Sequence, residues 1–212
     1  MAKKRIITDI EITEAWKKGI RSIEIDNDTI ITPQAQDSAK VKNIIFVKNP
    51  VVSRVSNNKI NKFIITIGSD HSGFKIKEVL KRYLLDSGHQ VKDIGTFTEE
   101  PCDYPDISYK VAISVKEMQA DFGIIIDGTG VASSIVANKI PGIRAACCTN
   151  ETMAKISREH NDANILTLGS KILGEELIKN ICTTFINTSF SEGRHLNRIE
   201  KIRDIEKKYL KS

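Results

Sequence analysis

Asp127 stands directly after the β-branched run Ile124-Ile125-Ile126 and directly before the small-residue turn Gly128-Thr129-Gly130-Val131-Ala132. The apolar run reads as a buried strand, and the turn reads as the entry to a helix over Ser133 to Lys139. A helix start carries unpaired backbone N–H groups, so such a turn can hold a phosphate or stabilise a developing oxyanion. Asp127 would bring a candidate base to the same spot. Taken alone, this pattern is also what ordinary packing of a helix on a sheet demands.

Other segments supply further polar groups. Ser69-Asp70-His71-Ser72-Gly73 follows the apolar run Phe63 to Gly68, and Arg158-Glu159-His160-Asn161-Asp162-Ala163-Asn164 precedes another. A single loop histidine is usually a packing or surface residue. His71 and His160 gain meaning from Asp70 and the Gly128–Gly130 turn, because all of them are expected beside one crevice.

The elements that would position these residues alternate along the chain. Strands are expected at Phe63–Gly68, Val91–Ile94, Phe122–Ile126, Ile143–Cys148 and Asn164–Leu168. Helices are expected at Phe74–Ser87, Pro105–Met118, Ser133–Lys139, Glu151–Glu159, Glu175–Asn187 and Leu196–Leu210, the last with a thin apolar seam of Ile199, Ile202, Ile205 and Tyr209. Near-continuous apolar strands alternating with helices imply a parallel sheet covered on both faces, with ligands at the C-terminal strand ends. The fold class is α/β, a three-layer α/β/α Rossmann-like domain with a five-stranded parallel sheet over residues 61–212.

Residues 1–60 have a different character and are expected to form a small α+β appendage. Ile12 to Gly19 reads as a short helix and Ser22 to Asp26 as an alternating strand. Gln34 to Lys42 reads as a second helix with Thr32 as N-cap and Pro33 at its first position, and Ile44 to Val47 as a closing strand. The polar stretch Ser53 to Asn61 reads as a linker.

Whole-chain properties narrow the function classes. With 212 residues, 40% hydrophobic and 28% charged, the chain has the balance of a globular protein, and no apolar run is long enough to span a membrane. Met1-Ala2-Lys3-Lys4-Arg5 is basic but has no apolar signal core, so a cytoplasmic location is expected. The cysteines at 102, 147, 148 and 182 show no CxxC spacing, which argues for reduced thiols and against a metal site or a disulfide framework. The net charge of +5 is scattered, and aromatics are few, so nucleic-acid binding is not expected. A small anionic substrate suits this balance.

Six segments resemble one family. Gly68-Ser69-Asp70-His71-Ser72-Gly73-Phe74-Lys75, Asp103-Tyr104-Pro105, Gly128-Thr129-Gly130-Val131, Ala137 to Ala145, His160-Asn161-Asp162-Ala163-Asn164 and Gly193-Arg194-His195-Leu196-Asn197-Arg198 follow the order and spacing of the ribose-5-phosphate isomerase B and galactose-6-phosphate isomerase family, over residues 63 to 210. The resemblance implies aldose–ketose isomerisation of a phosphorylated sugar through an enediolate, with no metal and no cofactor. It implies that His160 assists ring opening, and that Asp70, His71 and Tyr104 contact the sugar. Asn161 and the turn Gly128, Thr129, Gly130, Val131 and Ala132 would stabilise the enediolate, while Arg194, Arg198 and Lys171 would hold the phosphate. A homodimer or homotetramer with active sites shared between subunits is also implied.

The chain departs from the family pattern at three of these positions. Asp127 stands where ribose-5-phosphate isomerases of the family commonly carry a cysteine base, Ala132 replaces a usual glycine, and Lys171 falls where many members have arginine. A dry pocket could raise the pKa of Asp127 enough for a base. Alternatively, Asp127 caps its own turn, and the chain is a non-catalytic sugar-phosphate-binding or scaffold subunit that needs a partner. Residues 1–60 resemble the front segment of several bacterial ethanolamine-utilisation and other microcompartment-associated proteins, through Ile12-Thr13-Glu14 to Lys18-Gly19 and Ile31-Thr32-Pro33 to Ala39-Lys40. That resemblance implies a microcompartment or paralogous-subunit partner; a purely structural appendage is the other reading.

Overall fold

A computed structural model of the protein describes residues 5–18, 20–25, 29–48 and 62–209. The expected linker, Ser53 to Asn61, lies wholly outside these residues. The chain divides into two compact units, Met1–Lys59 and Ile60–Ser212.

The first unit repeats one β-α-β pattern. Its elements are β1 (Ile6–Ile7), α1 (Asp9–Lys17), β2 (Ser22–Ile25), β3 (Ile30–Ile31), α2 (Pro33–Val41) and β4 (Ile45–Lys48). The Ile-Ile-Thr of residues 6–8 recurs at 30–32, β1 pairs in parallel with β3, and β2 pairs in parallel with β4. Thr32 caps α2 by accepting from the Ala35 N–H at 3.3 Å. The α1 helix begins at Asp9 instead of Ile12, with Thr8 as the extended N-cap residue. The Ser38 hydroxyl binds the Asp9 carboxylate and joins the two helices. Ile7, Ile12, Ala15, Ile23, Ile25, Ala35, Ala39 and Ile44 form a core belonging to this unit. The two-residue strands β1 and β3 are too short to leave an alternating signature in the sequence.

The second unit is a three-layer α/β/α domain. Strands β5 (Ile64–Ser69), β6 (Gln90–Gly95), β7 (Phe122–Asp127), β8 (Ala145–Cys147) and β9 (Ile165–Gly169) form one parallel sheet in the order β6-β5-β7-β9-β8. The helices are α3 (Phe74–Asp86), α4 (Tyr104–Lys116), α5 (Val131–Ala137), α6 (Glu151–Asn161), α7 (Glu175–Asn187) and α8 (Leu196–Tyr209). The period-two alternation of strand side chains divides the core. Ile65, Ile67, Ile124, Ile126, Leu166 and Leu168 pack with Leu80, Leu84, Ile178, Ile181 and Phe185 of α3 and α7. Ile125 and Ile165 point the other way, against Ile107, Val111 and Val115 of α4 and Ala137 of α5. All six residues of β7 are therefore buried, which explains its unbroken apolar run.

Two elements differ from expectation. β8 is a three-residue edge strand rather than a run from Ile143 to Cys148, because Ile143 N–H still bonds Ile140 O in the preceding turn. The helix after the turn starts at Val131, two residues early, so Val131 and Ala132 belong to its first turn.

Candidate active site

Three strand ends meet at the turn after β7. Asp70 N–H, following β5, bonds Ile126 O at 3.2 Å, and Ser170 N–H, following β9, bonds Asp127 O at 2.8 Å. The Ser170 hydroxyl also binds the carbonyls of Ser72 at 2.9 Å and Asp127 at 3.0 Å. Gly73 permits the closest approach, since a Cβ there would lie 2.4 Å from Ile126 O. Gly130 has φ +80°, and a Cβ on it would meet Cys147 Sγ and Leu168 C at 3.0 Å. A side chain at either position would prise the turn from the sheet.

Asp127 is 3% exposed and binds its own turn with both oxygens. Oδ1 accepts from the N–H groups of Thr129 at 2.7 Å and Gly130 at 2.5 Å. Oδ2 accepts from Ser133 twice, from its N–H at 2.9 Å and its hydroxyl at 2.5 Å. A carboxylate offers about four lone-pair sites, and four donors fill them. Burial disfavours the ionised form, but the bonds from the Ser133 hydroxyl and the three backbone N–H groups outweigh it and hold the carboxyl below its ordinary value. The expected upward shift toward neutrality is thus reversed, because Asp127 is buried among donors.

Asp70, 8% exposed, caps the 3-10 turn His71–Gly73, its Oδ1 accepting from Gly73 N–H at 3.0 Å and Ser72 Oγ at 2.6 Å. His71 is exposed, with Nδ1 3.2 Å from Cys102 O and 3.3 Å from Cys102 N. Tyr104, two residues further on and 38% exposed, starts α4 beside it. The stem of Lys171 lies over Gly128, where a Cβ would come 3.6 Å from Lys171 Cδ. Asp70, His71, Tyr104, Asp127 to Ala132 and Lys171 are thus gathered at the C-terminal end of the sheet.

The remaining expected residues lie at the opposite end, which corrects the expectation of a single crevice within one chain. Asn164 O accepts from Gly123 N–H at the start of β7, while Asp127 pairs with Gly169 at its finish. His160 and Asn161 precede that starting edge, about 15 Å of strand away from the turn. The sequence rule for strand ends applied to β5 and β7, but His160 and Asn161 enter β9 rather than leave it.

This second cluster is also rigidly built. The His160 ring stacks on the buried His195 ring at 4.2 Å and 8°. Arg194 and Arg198 are exposed in the adjoining 3-10 turn and α8. Asp162, at φ +46°, ends α6 between two arginines: Arg144 Nη2 donates to Oδ2 at 2.8 Å and Arg158 Nη1 to Oδ1 at 2.9 Å. Arg144 Nε holds Asn161 O at 2.9 Å. Buried Arg158 lies 4.8 Å from the Phe122 ring centroid. Ser133, Arg144, Arg158 and His195 were present in the segments read from sequence, but Ser133 and Arg158 meet their partners only through the folding of the turns at 128–130 and 162, and Arg144 and His195 meet theirs across the fold, so none left a recognisable signal.

A groove of about 700 Å³ lies along the edge strand β8, lined by Ile143, Ala145, Ala146, Ile202, Ile205 and Tyr209. Ile205 and Tyr209 of α8 are exposed there, and Val131 and Ile135 expose more apolar surface on α5. Among the described residues no helix is long and apolar enough to cross a membrane.

Comparison with known proteins accords with this architecture. The family model described as Ribose/Galactose Isomerase matches residues 65–202. Ribose-5-phosphate isomerase B of Escherichia coli K12 is 42% identical over 144 residues, which cover 68% of this chain and 97% of that protein. The galactose-6-phosphate isomerase subunit LacA of Lactococcus lactis is 36% identical over 138 residues, covering 65% of this chain and 96% of that subunit. The solved structure of ribose-5-phosphate isomerase B from Clostridium thermocellum superposes with a TM-score of 0.68 at 51% identity, over 69% of this chain and 99% of that one. The chain belongs to the ribose/galactose isomerase family and is a sugar-phosphate isomerase.

Proposed function

We propose that the chain interconverts the aldose and ketose forms of a pentose 5-phosphate or hexose 6-phosphate through an enediolate, at a site completed by a second copy. The observation that carries this reading is the separation of the two polar clusters. Groups suited to the sugar and its developing oxyanion lie at one end of the sheet, and His160, Asn161, Arg194 and Arg198 lie about 15 Å away at the other. A two-fold partner that covers the β8 edge would bring the second cluster of one chain to the first cluster of the next. The apolar groove beside β8 and the exposed Val131 and Ile135 supply a surface for that contact.

In this site the Arg194 and Arg198 guanidiniums of one copy hold the phosphate, with Lys171 of the other adding charge. His160 assists ring opening, and its stacking on His195 fixes the ring plane. Val131 and Ala132 open helix α5, and Asp127 binds neither N–H; the Val131 N–H donates to Thr129 Oγ1 at 3.3 Å, so the Ala132 N–H is the donor of this turn we assign to the oxygen on which charge develops. Asp127 holds the turn in shape.

A second reading, a binding subunit that needs a different partner chain, is favoured by the filled lone pairs of Asp127, where family enzymes commonly have cysteine. Proton NMR of ribose 5-phosphate, ribulose 5-phosphate, galactose 6-phosphate and tagatose 6-phosphate incubated with the purified chain in deuterated water separates the two. Isomerisation with deuterium entering the carbon beside the carbonyl is expected. Binding of these sugars without exchange would favour the subunit reading.

A further inference from the structure

We propose that Asp70, not Asp127, is the general base of this chain. The assignment rests on the isomerase reading above and identifies the group that moves the proton. Asp70 lies beside the turn: its N–H bonds Ile126 O, and Ser72 Oγ, which donates to Asp70 Oδ1, lies 3.6 Å from the point a Gly128 Cβ would occupy. Both described donors to its carboxylate, Gly73 N–H and Ser72 Oγ, converge on Oδ1, and among the described residues no donor reaches Oδ2. Asp127 differs in that both of its oxygens are filled. One carboxylate at this end of the sheet is therefore anchored with an oxygen to spare, and the other is used up as a structural brace.

The neighbouring alternatives are less suited. His71 Nδ1 is turned to Cys102. Cys147 Sγ sits on the sheet side of the turn, against Gly130 and Leu168, and reaches Thr129 O at 3.7 Å. Burial pushes its thiol above the ordinary cysteine value, against a smaller opposite pull from Thr167 and with the Asp127 charge adding to the rise.

The step balances within enzyme and sugar. Asp70 Oδ2 takes the proton from C2 of the open-chain aldose, the C–H electron pair forms the C1=C2 double bond, and the carbonyl pair moves to O1. The carboxylic acid then returns the proton to C1. The O2 proton passes to O1 as the O2–H pair becomes the new C2 carbonyl. Ser72 and Gly73 hold Oδ1 throughout, so the base needs no reorientation.

Asp70→Asn tests this cleanly, since the amide oxygen can still accept from Gly73 and Ser72 and keep the cap. Deuterium exchange into the preferred sugar phosphate is expected to fall about 10³-fold with KM changed less than about threefold. Asp70→Glu, which restores a carboxylate one methylene away, should exchange faster than Asp70→Asn and serves as the readout if the amide variant folds poorly. Asp70→Asn exchanging within tenfold of the unmodified chain, with exchange abolished in Asp127→Asn, would overturn the assignment and leave the isomerase reading intact. No exchange by the unmodified chain would overturn both.

Discussion

Ser133 binds Asp127 Oδ2 through both of its donors, the backbone N–H at 2.9 Å and the hydroxyl at 2.5 Å, so residue 133 closes the loop that residue 127 opens. With Thr129 and Gly130 on Oδ1, the carboxylate ties two of the three residues between strand and helix to the first turn of the helix. Asp127→Ala would leave three N–H groups without their acceptor, a loss of roughly 3 kcal/mol or more. A fall in Tm of about 6–12 °C is expected by calorimetry. Asp127→Asn should fall less, because its amide oxygen still accepts on one side. An unchanged Tm in both would contradict the bracing role.

Acid should weaken the second unit in two stages. His195 is held below the ordinary histidine value of 6.5 by burial, then by His160, Arg194 and Arg198, against a smaller opposite pull from Glu159; burial also lowers His89. A histidine depressed in the folded state protonates more readily when unfolded, so its contribution is present above 6.5 and is lost as pH falls through the folded value. Asp127 and Asp93, depressed below 3.8, contribute above that pH and lose their share below it. Tm measured from pH 8 to 3 should begin to decline below about 6.5 and steepen below about 4. His195→Phe, which keeps a ring against His160 without a titrating proton, should reduce the first stage.

Lys77 is fully buried, its Nζ 2.7 and 2.8 Å from the two oxygens of Asp93, and the Phe74 and Phe97 rings flank it at 5.4 and 5.3 Å. Burial alone would raise the Asp93 carboxyl, but Lys77, Lys81 and Gly95 N–H together hold it low. Lys77→Met leaves Asp93 with fewer partners and is expected to cost about 3 kcal/mol by denaturant titration. The double variant Lys77→Met, Asp93→Asn should recover part of that loss. A double variant weaker than the sum of the singles would contradict the pairing.

Lys171 covers Gly128 with its stem and is exposed at its head, which fits a charge that meets the ligand rather than one that holds the fold. Lys171→Met should raise KM about tenfold with little change in Tm, and Lys171→Arg should preserve or lower KM because a guanidinium grips phosphate at two points. Steady-state kinetics on the preferred sugar phosphate checks both.

The layered fold was legible in the sequence because both faces of the sheet are covered, leaving uninterrupted apolar runs such as Phe122 to Ile126 that cannot be solvated loops. The elements at Asp70 and at the Gly128 turn were legible for the same reason, since each follows such a run. The separation of His160 from Asp127 was present in the chain order: a segment that enters a strand of a parallel sheet lies at the end opposite to one that leaves it, and His160 and Asn161 enter β9 while Asp127 ends β7. The saturation of Asp127 was hidden: Ser133 reads as an ordinary helix residue until the turn folds back and brings its two donors to one oxygen. In the first unit, Thr32 and Pro33 announced α2, while the pairing of β1 with β3 rests on two residues in each strand.

Mixing two inactive variants tests most directly whether one site is built from opposite ends of the sheet in two copies. Asp70→Asn disables the end beside the turn, and His160→Ala disables the end beside Arg194. Each alone should be nearly inactive in the sugar-phosphate isomerase assay. After co-expression, half of the dimers pair the two variants, and each of these holds one intact site, so activity should recover to about a quarter of the unmodified chain. Recovery to that level is the predicted result. Mixed dimers, verified by tagged co-purification, that remain as inactive as either parent would contradict a shared site.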